Sequence, residues 1–226
     1  SMVMACAVRE LSPQAALRIE HPISKGYFCT LQWLGGEEKL LTPEMVTDIK
    51  ERMLQIIRED RPIRAEERRT KDVMALFHEY RHHDDADSTL FETLGNPYCR
   101  YYSMGDYIDY YTDALMPSTG YLNVFDLEPY FHGILLRIPN RKNPTELENV
   151  MSQEKMFHIF NEYTGWNKVL RISNVGEFNI ANKNKRTFEM IKLSEALHEK
   201  KIAQIADQIA NREGGRPKFI LISGPS

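Results

Sequence analysis

GDYIDYYTDALMPSTG, residues 105–120, is the stretch on which the fold turns. It opens on Gly105-Asp106, passes through the aromatic run Tyr107 to Tyr111, and closes on Pro117-Ser118-Thr119-Gly120. Both ends carry turn chemistry. Glycine takes positive φ freely, and short Asp, Ser and Thr side chains hydrogen-bond the nearby backbone. Between the turns, Tyr, Ile and Tyr around Asp109 predict a short strand. Asp106, Asp109, Ser118 and Thr119 are therefore candidates to line a cleft, with Arg137 as a possible anion partner. They are equally good as turn and structural residues, and the residues alone leave both readings open.

Outward from this stretch, residues 88–138 are rich in short β-type runs: TLFETL, YCRYY, YIDYY, YLNVF and GILLRI. Gly95-Asn96-Pro97, Pro117 to Gly120 and Pro129 separate them as turns. Upstream, residues 3–11 read as a helix, and residues 16–20 and 26–33 as two strands. Thr42-Pro43 is a helix start, a hydroxyl cap followed by a proline in the first turn. Val46, Ile49, Met53 and Ile56 then recur at helical spacing, so 43–59 is an amphipathic helix that Pro62 ends. A strand near 63–68 and a helix near 70–80 follow. Asn140 to Pro144 is polar and reads as a domain boundary. Beyond it come a buried helical segment around Met156, Phe157, Ile159 and Phe160, and a long helix over 187–212 stopped by Gly214-Gly215.

The composition is that of an ordinary globular chain, 226 residues with 42% hydrophobic and 27% charged residues. A net charge of −3 argues against a domain built mainly to hold nucleic acid. Three cysteines, Cys6, Cys29 and Cys99, have no paired spacing, which suggests free thiols in a reducing compartment. No apolar run is long enough to cross a membrane and no signal peptide is visible, so the cytosol is the expected location. HEYRHH, residues 78–83, puts His78 and His82 on one helical face with His83 beside them. It runs into Asp84, Asp85 and Asp87, and reads as a polar helix end rather than a metal site.

Three blocks keep one order: SPQAALRIEHPISKGYFC (12–29), LTPEMVTDIKERMLQII (41–57) and GDYIDYYTDALMPSTG. Together they resemble the second N-terminal domain of threonyl-tRNA synthetases, which alanyl-tRNA synthetases share and which hydrolyses mischarged tRNA. The resemblance implies an α+β fold with an antiparallel sheet and packed helices. In that family an HxxxH pair and a downstream CxxxH pair suit a divalent metal. Here Tyr111 and Leu115 occupy the downstream positions, and Met2 stands in place of the second upstream histidine. No zinc and no editing hydrolysis are expected.

The C-terminal residues add a second resemblance. FILISGPS (219–226) reads as a buried strand emptying into a glycine turn, the opening of a phosphate-binding loop. With GILLRIPN (133–140) and SEALHEKKIAQIADQIA (194–210), it resembles the front part of nucleoside kinases of the uridine kinase family. This implies an editing-like domain over 3–139, a helical connecting region over 140–215, and the first strand of a P-loop domain over 216–226. In the complete protein, ATP and magnesium would serve transfer of phosphate to a nucleoside. Of that apparatus this chain has Gly224, Pro225 and Ser226 alone, with no lysine and no magnesium ligand. The alternatives are a metal-free editing-like module that binds RNA, a nucleotide or a protein, and an aminoacyl-tRNA hydrolase. One expectation is testable directly. In a radiolabelled ATP assay with magnesium and uridine, the 226-residue chain should give no phosphoryl transfer; turnover above background would contradict it.

Overall fold

The computed structural model describes residues 1–33, 39–81, 85–212, 215, 217–222 and 224, without the side chains of 81 and 85–88. His82, His83 and Asp84, Gly214, and Ser223, Pro225 and Ser226 lie outside the described residues. The chain divides into two compact units, Ser1–Glu162 and Tyr163–Ser226. The polar stretch 140–144 falls within the first.

The first unit is α+β. Helix α1 (Met2–Leu11) is followed by the hairpin β1 (Ala15–Ile23) and β2 (Gly26–Trp33), then α2 (Pro43–Arg58). Strand β3 (Arg64–Arg69) leads into α3 (Thr70–Arg81) and α4 (Asp85–Leu94). Strands β4 (Tyr98–Met104) and β5 (Tyr107–Asp109) form a hairpin, and a single 3-10 turn covers Thr119–Tyr121. Strands β6 (Asp126–Tyr130) and β7 (Gly133–Arg137) form another, and α5 (Glu154–Leu170) follows. The strands make two antiparallel sheets, one in the order β1-β2-β7-β6 and one in the order β3-β4-β5.

Helix α1 is buried almost all round, with Met2, Val3, Met4, Cys6, Ala7 and Val8 inside. It shares one core with the stripe Val46, Ile49, Met53, Ile56 and Ile57 of α2, with Cys29, Ile134 and Leu136 of the larger sheet, and with Tyr102, Met104 and Tyr107 of the smaller. Helix α2 starts as its sequence dictates. Thr42 caps it, its side chain accepting from the Met45 N–H, and Pro43 sits in the first turn. A second cluster joins Val73 and Phe77 of α3 and Phe91 of α4 to Cys99, Tyr101 and Ile108 of the smaller sheet. Strand β7 carries consecutive apolar residues, Ile134 to Leu136, because the larger sheet is covered on both faces there. Ile134 and Leu136 enter the central core, while Leu135 joins Phe28 and Phe157 on the other side.

Several local expectations give way. TLFETL is the second half of α4, not a strand. Its apolar residues Leu90, Phe91 and Leu94 suit a helix as well as a strand, and Phe91 meets Phe77 edge-on at 5.6 Å. YLNVF is the end of the 3-10 turn and a loop. Strand β6 forms across Pro129, which was expected to be a turn. Both β6 and β1, which holds Pro22, are sheet edges, where a missing N–H is tolerated. Met156 and Ile159 are half exposed, and Phe157 alone in α5 is buried.

The second unit continues with α6 (Val175–Lys183) and α7 (Thr187–Ala210). Asn174 caps α6 by accepting from the Glu177 N–H at 2.9 Å. Ile191, Ile202 and Ile205 of α7 are about half exposed. The strand expected at 219–222 is not formed among the described residues. Phe219, Leu221 and Ile222 are 88%, 97% and 94% exposed, and no other strand pairs with them. A strand needs a neighbour to satisfy its backbone.

Packing is close where β7 begins beside β2. A Cβ added to Gly133 would meet the Cys29 carbonyl oxygen and the Phe28 ring. Gly133→Ala should cost about 1–3 kcal/mol, read as a lower urea midpoint with an unchanged slope; an unaltered midpoint would contradict this packing.

Candidate functional site

The segment after β5 is organised by one buried carboxylate. Asp109, 8% exposed, ends that strand. It accepts from the Tyr107 hydroxyl at 3.0 Å, the Tyr111 hydroxyl at 2.9 Å and the Tyr110 N–H at 2.7 Å. Tyr102 donates to the Asp113 carbonyl at 3.1 Å, and its ring meets that of Tyr111 edge-on at 6.3 Å. A buried carboxylate demands such donors, and here they pin residues 109–113 against the smaller sheet.

Beside this segment lies a cleft of about 250 Å³. Phe91, Tyr98, Tyr110 and Tyr111 supply its aromatic wall, and Arg100, Glu67, Thr70, Asn96 and Thr112 its polar groups. Tyr98 and Arg100 are two apart on β4, so they share a face. Arg100 sits opposite Glu67 of β3 in register. Phe91 packs edge-on against Tyr110 at 5.0 Å.

The three positions that the synthetase resemblance marks for metal ligands all belong to the central core or its edge. Met2 is buried in the central core, and Tyr111 and Leu115 pack against that same core. Their chemistry is apolar or phenolic, and the Tyr111 hydroxyl donates a hydrogen bond to Asp109. The nearby thiols are also poor ligands. Burial pushes both Cys6 and Cys29 up to about 12, so neither is a thiolate near neutrality. Among the described residues, no group of three or more His, Cys, Asp or Glu side chains is placed to hold a metal ion.

The other candidates lie elsewhere. Asp106 is exposed in the turn between β4 and β5, after Gly105 at φ +60°. Ser118 and Thr119 staple the end of α2. Thr119, fully buried, donates to the Ile56 carbonyl at 2.8 Å and accepts from the Arg61 N–H at 2.9 Å. The Ser118 hydroxyl and the Gly120 N–H both bond Asp60 and hold its carboxyl below the usual range. Arg137 pairs with Glu128 at 2.6 Å and donates to the Glu148 carbonyl at 2.8 Å. Among the described residues, nothing lies within 4 Å of where a Cβ on Gly224 would stand. None of Asp106, Asp109, Ser118, Thr119 and Arg137 lines the cleft beside Tyr111. The lining residues that sequence reasoning passed over, Tyr98 and Arg100, were signalled by the alternation in YCRYY.

The sequence matches part of several threonine–tRNA ligases. It is 32% identical over 127 residues to the enzyme of Geobacter sp. strain M21, covering 56% of this chain and 19% of that one. It is 28% identical over 152 residues to that of Rubrobacter xylanophilus, covering 63% and 22%. It is 29% identical over 126 residues to that of Acidithiobacillus ferrooxidans, covering 56% and 19%. The chain thus spans about a fifth of the length of the curated relatives it matches. No protein-family model matches it. The relatives support the synthetase-like part of the sequence reading and not the kinase part.

The staple generates a prediction. Thr119→Val leaves the Ile56 carbonyl and Arg61 N–H without their partner and should cost about 1–3 kcal/mol, while Thr119→Ser retains most of the stability. Equal unfolding midpoints for the Val variant and the native chain would remove the staple.

Proposed function

We propose that the first unit is a metal-free relative of the synthetase editing fold, and that it binds a nucleotide-bearing ligand in the cleft beside Tyr111 without hydrolysing it. The observation that carries this reading is the Tyr111 phenol. It lines the cleft, is bonded to Asp109, and stands where the resemblance implies a thiolate. A base stacks on an aromatic wall whatever its identity, and a guanidinium such as Arg100 suits a phosphate. The net charge of −3 favours a short ligand, a mononucleotide or an RNA end, over an extended nucleic acid.

Titration of isotope-labelled protein with uridine and adenosine monophosphates tests it. Saturable shifts of the Tyr98, Arg100 and Tyr111 amides are expected, with about tenfold weaker binding for Tyr111→Ala, since one base–aromatic stack is worth about 1–3 kcal/mol. Shifts confined to other surfaces would contradict the cleft assignment. Binding only of a short RNA, falling steeply with salt, would assign the cleft to RNA ends.

A second reading takes the chain as the accessory N-terminal region of an ATP-dependent nucleoside kinase. It is favoured by the exposed apolar run Phe219 to Ile222 directly before Ser223-Gly224, since such a run ordinarily belongs inside a sheet. ATP, magnesium and the nucleoside would then bind outside these residues. The coding sequence beyond Ser226 decides it: Ser-Gly-Lys followed by Thr or Ser supports the kinase, and a stop codon removes it.

A further inference from the structure

The outer face of the larger sheet carries an aromatic seat that the cleft does not use. Phe157, 2% exposed, lies in it as the one buried residue of α5. The Phe131 ring stacks on Phe157 at 3.9 Å and 8°, while Phe28 and Tyr130 meet it edge-on at 5.0 and 5.8 Å. The neighbouring ring, His21, stacks between Phe160 at 3.9 Å and Phe28 at 5.3 Å. So one imidazole from β1 bridges the sheet and the helix.

The closed arrangement carries costs. Phe131 sits at φ +51°, a left-handed conformation that a phenylalanine seldom adopts. Among the described residues, the buried Tyr130 hydroxyl has no hydrogen-bond partner. Before the helix, a separate tie holds the chain. The Ser24 N–H donates to Gln153 Oε1 at 2.8 Å, and the Ser24 hydroxyl exchanges bonds with the Met151 carbonyl and N–H at 2.9 and 2.7 Å. That tie leaves a pivot at the start of α5, with the rings of Phe157 and Phe160 as the contacts beyond it.

We propose that this seat is a protonation-gated clasp: with His21 neutral, the first two turns of α5 lie on the sheet, and with His21 protonated they lift away about the Ser24 tie. A charged imidazole would lose part of its hydration between two phenylalanine rings, since His21 is half-buried there. The groups facing His21 are few. Its own strand offers Glu20, which is engaged with Thr30 at 2.7 Å, and the Pro22 carbonyl, 3.4 Å from Nδ1. Strand β2 and α5 offer the Phe28 and Phe160 rings. His132 and His158 border the same seat through Phe28 and Phe157. Burial holds the His21 imidazole below its ordinary value, against the opposing pull of the Pro22 carbonyl and Glu20. The sign follows from the lowered value. The contribution of neutral His21 to docking is complete above the ordinary imidazole pKa, about 6.5, and is lost as the pH falls below it.

Amide hydrogen exchange on the full chain tests this, with rates normalised for the intrinsic pH effect. Between pH 7.5 and 5.5, protection of amides 158–162 should fall about two- to fivefold while that of Ile134 to Leu136 holds. His21→Phe should abolish the fall, and Phe157→Ala should leave the same amides unprotected at both pH values. The clasp is overturned by pH-independent protection in the native chain, by an undiminished fall in His21→Phe, by retained protection in Phe157→Ala, or by a parallel loss across Ile134 to Leu136.

Discussion

A buried carboxylate has to be answered by donors, and the answer given to Asp109 shapes the site. Two tyrosine hydroxyls and a backbone N–H converge on it. They fix the chain from β5 to Asp113 and leave Tyr111 on the wall of the cleft. The same bond that satisfies Asp109 occupies the one phenol standing at a ligand position of the resembling fold. Apolar packing around Met2, Tyr111 and Leu115 surrounds these bonds in the central core.

Much of the fold was legible because periodicity and caps agree with packing. The α2 stripe, its Thr42 cap and the strands of YCRYY and GILLRI stand where the pattern places them. The misreadings have physical causes. TLFETL is too short for its apolar spacing to separate strand from helix, and the rings of Phe77 and Tyr110 settle it as helix. Pro129 reads as a turn in isolation; an edge position makes it a strand residue. Burial in α5 was overestimated because two rings, Phe157 and Phe160, suffice to hold its first turns.

The site was less legible than the fold. Pro117 to Gly120 resembles a pocket-lining loop, yet its hydrogen bonds run to Ile56, Asp60 and Arg61 and lock the end of α2. Arg137 looks like an anion partner and is instead engaged with Glu128 and the strap before α5. Only the fold reveals that Tyr98 and Arg100 share the cleft with Tyr111, because Thr70 and Phe91 reach it from two separate helices, α3 and α4.

The central claim is that this cleft binds and does not hydrolyse. The most direct measurement offers the purified chain a mischarged aminoacyl-tRNA, with zinc supplied, and follows both complex formation and loss of the ester. The account predicts that the RNA end is held while the ester decays at its spontaneous rate. Ester loss accelerated in proportion to the protein added would contradict it.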